Sequence, residues 1–251
     1  MLFRSNENLD FELVGYSKFI SNFIVKVELG NSGIIFPANI KNGLVAGGEV
    51  RVRLHDWHNF SGSLSISTCA SLGLKPDDGS SPFGAGLVLG EEGYFYSHPF
   101  AGESSFNTEH NQLITAVFTV TYNHPDGYFG VLNGRFDSGL PFDLVNKAGV
   151  GPDEAESRQI LKDCGYSDEV INLLSLTSDK PGSPDKALAP RVVFDLGFGY
   201  DFNTTMHVPL KISANILNVL DTEFLYKFES SFGGTHFGYP RMVALKADLA
   251  I

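Results

Sequence analysis

Several features are missing from this 251-residue sequence, and each absence excludes a class of protein. No run of about 18 apolar residues occurs, so the chain has no candidate transmembrane helix. Runs of Lys or Arg are absent and the formal net charge is −11, which argues against a nucleic-acid partner. The first residues show no charged segment followed by an apolar one, so no signal peptide is visible.

Catalytic and metal-binding patterns are also missing. The two cysteines, Cys69 and Cys164, lack the spacing of a zinc site. His55 and His58 lie three residues apart on a predicted strand, so they point to opposite faces and are poor joint ligands. The glycines of GAGLVLG at 84–90 precede no predicted helix, which argues against a phosphate-binding loop. The sequence therefore predicts no enzyme, no metal site and no cofactor.

The residues that are present favour β-structure. The 27 Gly, 21 Phe and 9 Tyr suit a sheet-rich protein with many turns. Several segments alternate apolar and polar residues with period 2, as half-buried strands do. In the last segment, GYPRMVALKADLAI, one parity holds Val243, Leu245, Ala247, Leu249 and Ile251, and the other holds Lys246 and Asp248.

Half-apolar strands of this kind occur both in soluble β domains and in outer-membrane barrels, and the lengths of the connections between strands distinguish these two folds. We predict about eight strands, at 16–29, 45–57, 60–70, 108–123, 127–138, 190–202, 207–219 (or as far as 228) and 239–251. The connections alternate between short turns, at 58–62, 123–127 and 203–206, and long loops, at 30–44, 71–107, 139–189 and 229–238. Soluble β domains seldom carry such long loops, whereas outer-membrane barrels have short periplasmic turns and long outer loops.

The sequence therefore predicts an all-β fold: an antiparallel transmembrane β-barrel segment with apolar faces toward lipid and polar faces toward a wet lumen. Aromatic residues flank all three short turns, as in an interfacial girdle: Trp57, Phe60, Tyr122, Tyr128, Phe129, Tyr200 and Phe202. Within the loop at 139–189, acidic residues followed by an apolar pattern predict a small helical insertion near 153–175.

Three segments resemble the barrels of TonB-dependent outer-membrane receptors. Asn218 through Phe224 is similar to the Asn-Leu-Phe-Asp-x-x-Tyr element of that family, and Pro240-Arg241 to the start of its last strand. Gly48 and Glu49 in GLVAGGEVRVRL look like the family's recurrent Gly-x-Glu strand. The segment TEHNQLITAVFTVTYNHPDGYFGVLNGRFDSGLPFDL is similar to a strand pair of the same barrels.

The resemblance implies a single segment, 1–251, from the C-terminal part of a receptor barrel. It departs from the family in three respects: no plug domain, no TonB-contacting box, and Ile251 where many outer-membrane proteins end in Phe or Trp. By resemblance, the function is TonB-dependent uptake of a scarce nutrient across the cell outer membrane of a Gram-negative bacterium. The nutrient would be a siderophore, a cobalamin-like chelate or an oligosaccharide, and the other partners would be outer-membrane lipid, the barrel-assembly machinery and the TonB system through a plug.

Aromatic and polar residues of the long loops are the candidates for contacting the nutrient, although packing within the loops is an alternative role. They are Phe95, Tyr96, His98 and Phe100 in one loop, and Phe232, His236, Phe237 and Tyr239 in another. Cys69 and Cys164 both fall on the predicted outer side, where a disulfide could tether two loops in an oxidising compartment. Two separate thiols are the open alternative.

Two other functions fit the same residues. One is a stand-alone eight-stranded outer-membrane barrel with a structural or adhesive role, which an even strand number permits. The other is a soluble secreted β-sandwich that binds carbohydrate, in which the apolar face of each strand would meet a second sheet.

Overall fold

The computed structural model describes residues 2–6, 8–28, 35–74, 105–107, 112–144, 151–177, 185–230 and 234–249. Antiparallel strands make up most of these residues, and three short helices lie between them. None of the helices in these ranges has the length and apolar character needed to cross a membrane.

The elements follow one another along the chain as fifteen strands and three helices within the described ranges. The strands are β1 (Leu2–Asn6), β2 (Leu9–Glu28), β3 (Ile35–Trp57), β4 (Phe60–Leu74), β5 (Ser105–Asn107), β6 (Ile114–Asn123), β7 (Tyr128–Asp137), β8 (Pro141–Asp143), β9 (Leu174–Ser175), β10 (Asp185–Leu188), β11 (Arg191–Asp201), β12 (Leu210–Leu217), β13 (Leu225–Ser230), β14 (Gly234–Phe237) and β15 (Met242–Leu249). The helices are α1 (Glu154–Asp163), α2 (Asp168–Ile171) and α3 (Phe202–Met206).

One sheet dominates the fold. Its strands lie in the order β1-β2-β3-β4-β6-β7-β11-β12-β15, with β5 added beside β4. All the pairings along this order are antiparallel, and each long strand pairs with the long strand that follows it along the chain. The predicted antiparallel segment of about eight strands is confirmed by the eight long strands β2, β3, β4, β6, β7, β11, β12 and β15.

The first two long strands reach further than the sequence predicted. β2 begins at Leu9 rather than residue 16, and β3 begins at Ile35, inside the predicted loop 30–44. The ladder between them continues to the pair Glu28 and Ile35. β3 pairs with β4 only from Asn42 onward, so Pro37 lies where β3 has one partner, and Pro is tolerated on such an edge.

One end of the sheet carries short connections, and we call it the turn end. His58 and Asn59 link β3 to β4 with φ angles of 51° and 68°, the positive values of a two-residue hairpin turn. Residues 124–127 link β6 to β7. The connection predicted as a plain turn at 203–206 is instead the helix α3, because Oδ1 of Asp201 accepts a hydrogen bond from the Asn203 amide at 3.0 Å and caps it.

The opposite end, which we call the outer end, carries the long connections. The predicted helical insertion is confirmed as α1 and α2, and a three-stranded sheet in the order β8-β10-β9 accompanies them. Oδ1 of Asp153 caps α1 by accepting from the Glu156 amide at 2.8 Å. At α2, the Ser167 hydroxyl donates a hydrogen bond to Glu169 and lowers the pKa of that carboxyl. The insertion and β13 share a small core, formed by Leu161, Ile171, Leu174, Leu176, Leu188 and Leu225.

The last outer connection also differs from the prediction. β12 ends at Leu217, so the strand does not reach 228. The predicted loop at 229–238 is largely the separate hairpin β13–β14. The break follows from the backbone at Asn218 and Asp221, whose φ angles of 51° and 55° cannot continue a strand.

Candidate functional site

The strand register gives the sheet two chemically different faces. One row of paired residues crosses all eight long strands and is almost wholly apolar: Leu9, Leu54, Gly62, Val120, Leu132, Leu196, Ile216 and Val243. The adjacent row on the other face is polar across six strands: Asp10, Arg53, Ser63, Thr119, Asn133 and Asp195. Since neighbouring residues of a strand point to opposite faces, these two rows place apolar side chains on one face of the sheet and polar side chains on the other.

The apolar face is exposed. Its exposed fractions include 50% for Phe198, 67% for Val243 and 81% for Leu245. No second sheet packs on this face within the described ranges, since the two other sheets are the small ones of the outer end. A continuous apolar surface that crosses eight strands is unfavourable in water, and a transmembrane barrel presents such a surface to lipid.

Aromatic rings gather on the turn end as predicted. Phe60 and Tyr122 have ring centroids 4.7 Å apart, and Tyr128 and Tyr200 are also 4.7 Å apart. His124 bridges these two pairs with centroid distances of 6.1 Å to each neighbouring tyrosine. The resulting band of rings across four strands has the arrangement of an interfacial girdle.

The polar face carries paired charges near β2 and β3. Arg51 donates to Glu49 at 2.6 Å and to Glu12 at 3.3 Å, and the Ser65 hydroxyl donates to Glu49 at 2.8 Å. Ser63, Ser65 and Ser67 also lie on this face, because they alternate along β4 with the apolar residues Gly62, Leu64 and Ile66. Such a face is suited to a wet interior and not to lipid.

At the outer end, Asn218 joins three parts of the chain. The residue is completely buried. Its Nδ2 donates to the carbonyls of Thr222 and Tyr239 at 3.0 Å each, and its Oδ1 accepts from the Thr222 amide at 2.9 Å. Its backbone amide donates to Oδ1 of Asp195 at 2.8 Å. The family-like element that begins at Asn218 is therefore a turn locked to β11 and to the segment that leads into β15.

Arg135 and Arg191 extend this network along the rim. Arg135 donates to Oδ2 of Asp195 at 3.2 Å and to the hydroxyl of Tyr239. Nε of Arg191 donates to Oδ2 of Asp137 at 2.5 Å, and Nη1 donates to the Leu225 carbonyl at 3.2 Å. These charge-assisted bonds fix the β13–β14 hairpin over the end of β11.

Aromatic contacts support the same hairpin. The Arg191 guanidinium lies 4.6 Å from the ring centroid of Tyr226 and 5.1 Å from that of Phe224. Both distances are within the range of a cation–π interaction. Sequence reasoning missed Arg191 and Arg135, since their partners lie far away along the chain.

Beside this hairpin lies a cavity of about 310 Å³, at the lower end of the volumes typical of small-molecule sites. Its polar lining residues are Gln112, Arg191, Tyr226, Lys227 and His236. Its apolar lining comes mainly from Leu140, Leu188 and Leu225. We call it the rim cavity, and it is the candidate binding site.

The predicted nutrient-contacting residues have different positions. His236 lines the rim cavity, and Phe237 is 58% exposed on β14. Tyr239 instead faces the rim network through Arg135. The remaining candidates, Phe95, Tyr96, His98, Phe100 and Phe232, lie outside the described residues, and the ligand role of all eight stays a prediction.

The two cysteines are not bridged to each other in the structure. Cys69 lies on the polar face of β4. The Tyr16 ring passes over Gly47, and its hydroxyl forms a hydrogen bond with the Cys69 side chain. Cys164 follows α1 as its C-terminal cap and is exposed. The disulfide stays a prediction. Among the described residues, no group of three or more His, Cys, Asp or Glu is placed to hold a metal ion.

Comparison with known proteins gives matches to solved structures alone: no family model and no curated relative matches. The outer membrane transporter YddB from Escherichia coli matches with a TM-score of 0.57 and 15% identity, over 98% of this chain and 31% of its own. The ferric-catecholate import receptor Fiu from E. coli K12 matches with a TM-score of 0.55 and 14% identity, over 97% of this chain and 25% of its own. The ferripyoverdine receptor of the Pseudomonas aeruginosa outer membrane matches with a TM-score of 0.55 and 11% identity, over 96% and 24%.

These proteins are receptors and transporters, and the chain spans 24% to 31% of their length. At such low identities the match concerns the fold. The resemblance of the sequence to the barrels of TonB-dependent outer-membrane receptors is thereby confirmed for the fold. The chain has the fold of part of the barrel wall of outer-membrane receptors and transporters.

Proposed function

We propose that this chain forms part of the wall of a nutrient-import receptor in the outer membrane of a Gram-negative bacterium. The observation that supports this most strongly is the two-faced sheet: apolar rows exposed on one side and polar rows on the other, in register across the long strands. β6, β7 and β11 have 10, 10 and 11 residues, the length that a tilted strand needs to cross a bilayer.

In this proposal the outer end binds the nutrient and the polar face lines its path. By analogy with the import receptors that share the fold, the nutrient is a siderophore, a cobalamin-like chelate or an oligosaccharide. Release inward uses energy delivered by the TonB system to a plug domain inside the complete barrel. The wall itself binds and orients the nutrient and does not catalyse a reaction.

The strand directions favour a wall completed by further strands over a stand-alone barrel. Within the described ranges, eight antiparallel pairings join the nine strands of the main sheet in the order from β1 to β15, so the two edge strands, β1 and β15, run in the same direction. Pairing them with each other would create a parallel contact, whereas outer-membrane barrels are antiparallel throughout. The soluble sandwich fits less well, because the apolar face has no covering sheet in the part of the chain that the structure describes.

A growth experiment in the organism that encodes the chain tests this function. We expect the protein in the outer-membrane fraction. We also expect that deletion of its gene abolishes growth on one of three media, in which a siderophore is the sole source of iron, a cobalamin-like chelate the sole source of cobalamin, or an oligosaccharide the sole source of carbon. Complementation with the intact gene restores growth. Recovery of the protein in a soluble fraction, or unchanged uptake of all three nutrient classes, would contradict the proposal.

A further inference from the structure

The rim cavity has a charge that contrasts with the chain around it. The chain has 29 acidic and 18 basic residues. Yet the described residues that line the cavity include the cations Arg191 and Lys227 and no Asp or Glu. A cationic lining in an acidic protein favours a ligand of negative charge.

The cations of the cavity differ in how far they are neutralised. Arg191 is paired with Asp137 through Nε, and its Nη1 reaches the Leu225 carbonyl. Its Nη2 donates no hydrogen bond to the described part of the chain. Lys227 is exposed and has no ion pair within the described residues, so its ammonium supplies the net positive charge.

The rest of the lining limits the shape of the ligand. Leu140, Leu188 and Leu225 provide apolar walls, and Tyr226 provides a ring. The Gln112 side chain is held by its bond from Nε2 to Oδ1 of Asp137 at 3.1 Å. At about 310 Å³ the cavity has room for one small ring with a charged substituent, and not for a whole chelate of drug size or larger.

The geometry points to a site for a carboxylate attached to a small aromatic or apolar body, held by Lys227 and by Nη2 of Arg191 with its ring against Tyr226 and the leucines. This inference rests on the proposed function, because the carboxylate group would belong to the imported nutrient. Among the three nutrient classes it selects those that present a carboxylate and disfavours neutral oligosaccharides.

The test uses the full chain folded in detergent micelles and two probes of equal shape, benzoate and its neutral counterpart benzamide, in ligand-observed NMR titrations. We expect benzoate to bind at least fivefold more tightly than benzamide, with an affinity that falls as salt is raised. Lys227→Met keeps the length of the side chain and removes the charge, so it should weaken benzoate three- to tenfold and leave benzamide unchanged.

Lys162→Met is the matched control, because Lys162 is a similarly exposed lysine on α1 and pairs with Asp168 away from the cavity. It should leave both probes unaffected. Equal affinity for the two probes, equal weakening by the two lysine variants, or no binding of benzoate would overturn the inference. Since these outcomes are independent of whether the chain reaches the outer membrane and supports growth, they separate this inference from the proposed function.

Discussion

Replacement of Asn218 provides a quantitative test of the rim network. Asn218→Ala removes three side-chain hydrogen bonds, two to the carbonyls of Thr222 and Tyr239 and one from the Thr222 amide. A buried hydrogen bond contributes ~1 kcal/mol net, so their loss costs about 3 kcal/mol. A left-handed φ of 51° adds about 1 kcal/mol for alanine, which gives a total of about 4 kcal/mol.

Two further variants separate these contributions. Asn218→Gly relieves the backbone cost and should lose about 3 kcal/mol, because glycine adopts positive φ freely. Asn172→Ala is the control, since Asn172 is exposed and accepts one hydrogen bond, from Arg158 at 3.1 Å. Its loss should stay within about 0.5 kcal/mol.

The assay is equilibrium unfolding by urea in detergent micelles, followed by circular dichroism, together with hydrogen exchange at the Thr222 amide. Exchange at that amide should accelerate in both Asn218 variants, because its acceptor Oδ1 is gone. A loss below about 1 kcal/mol in Asn218→Ala, or unchanged exchange at Thr222, would refute the assignment of Asn218 as the residue that locks the rim.

Three other predictions concern the faces and the girdle. A Cβ on Gly134 would overlap the ring of Phe118, so Gly134→Ala should cost about 1–3 kcal/mol in the same unfolding assay, and adding Phe118→Leu should recover at least half. Leu245→Arg should cost ~2–4 kcal/mol in lipid bilayers, whereas Lys246→Ala should cost less than about 0.5 kcal/mol, and equal losses would contradict the two-faced sheet. Fluorescence of Trp57, the single tryptophan, should be quenched by lipids brominated near the headgroup more than by lipids brominated at the chain ends; the reverse order would remove it from the girdle.

Strand alternation explains why the faces could be predicted from sequence. Val243 and Lys246 differ in parity, and parity alone assigns opposite faces once the strand exists. The positions of the turn-end aromatics were also predictable, because Phe60 and Tyr122 border turns that local residues such as His58 and Asn59 indicate.

Features that depend on contacts across the sheet were not predictable. Arg191 and Asp137 are separated by 54 residues, and nothing in either neighbourhood identifies the other. The extension of β3 back to Ile35 comes from its ladder with β2, which overrides the local loop signal of Pro37. The β13–β14 hairpin was missed because its apolar residues pack on Arg191 and on the helical insertion instead of following the strand period.

The accessibility of side chains along β15 shows whether one face of the sheet meets lipid and the other meets water. In the full chain reconstituted in lipid bilayers, with Cys69 and Cys164 replaced by serine, single cysteines from Val243 to Asp248 are spin-labelled one at a time. We predict that labels at odd positions collide mainly with oxygen dissolved in lipid, and labels at even positions mainly with a water-soluble nickel complex. The same preference at both parities, or the opposite alternation, would contradict a sheet with one face on lipid and the other on water.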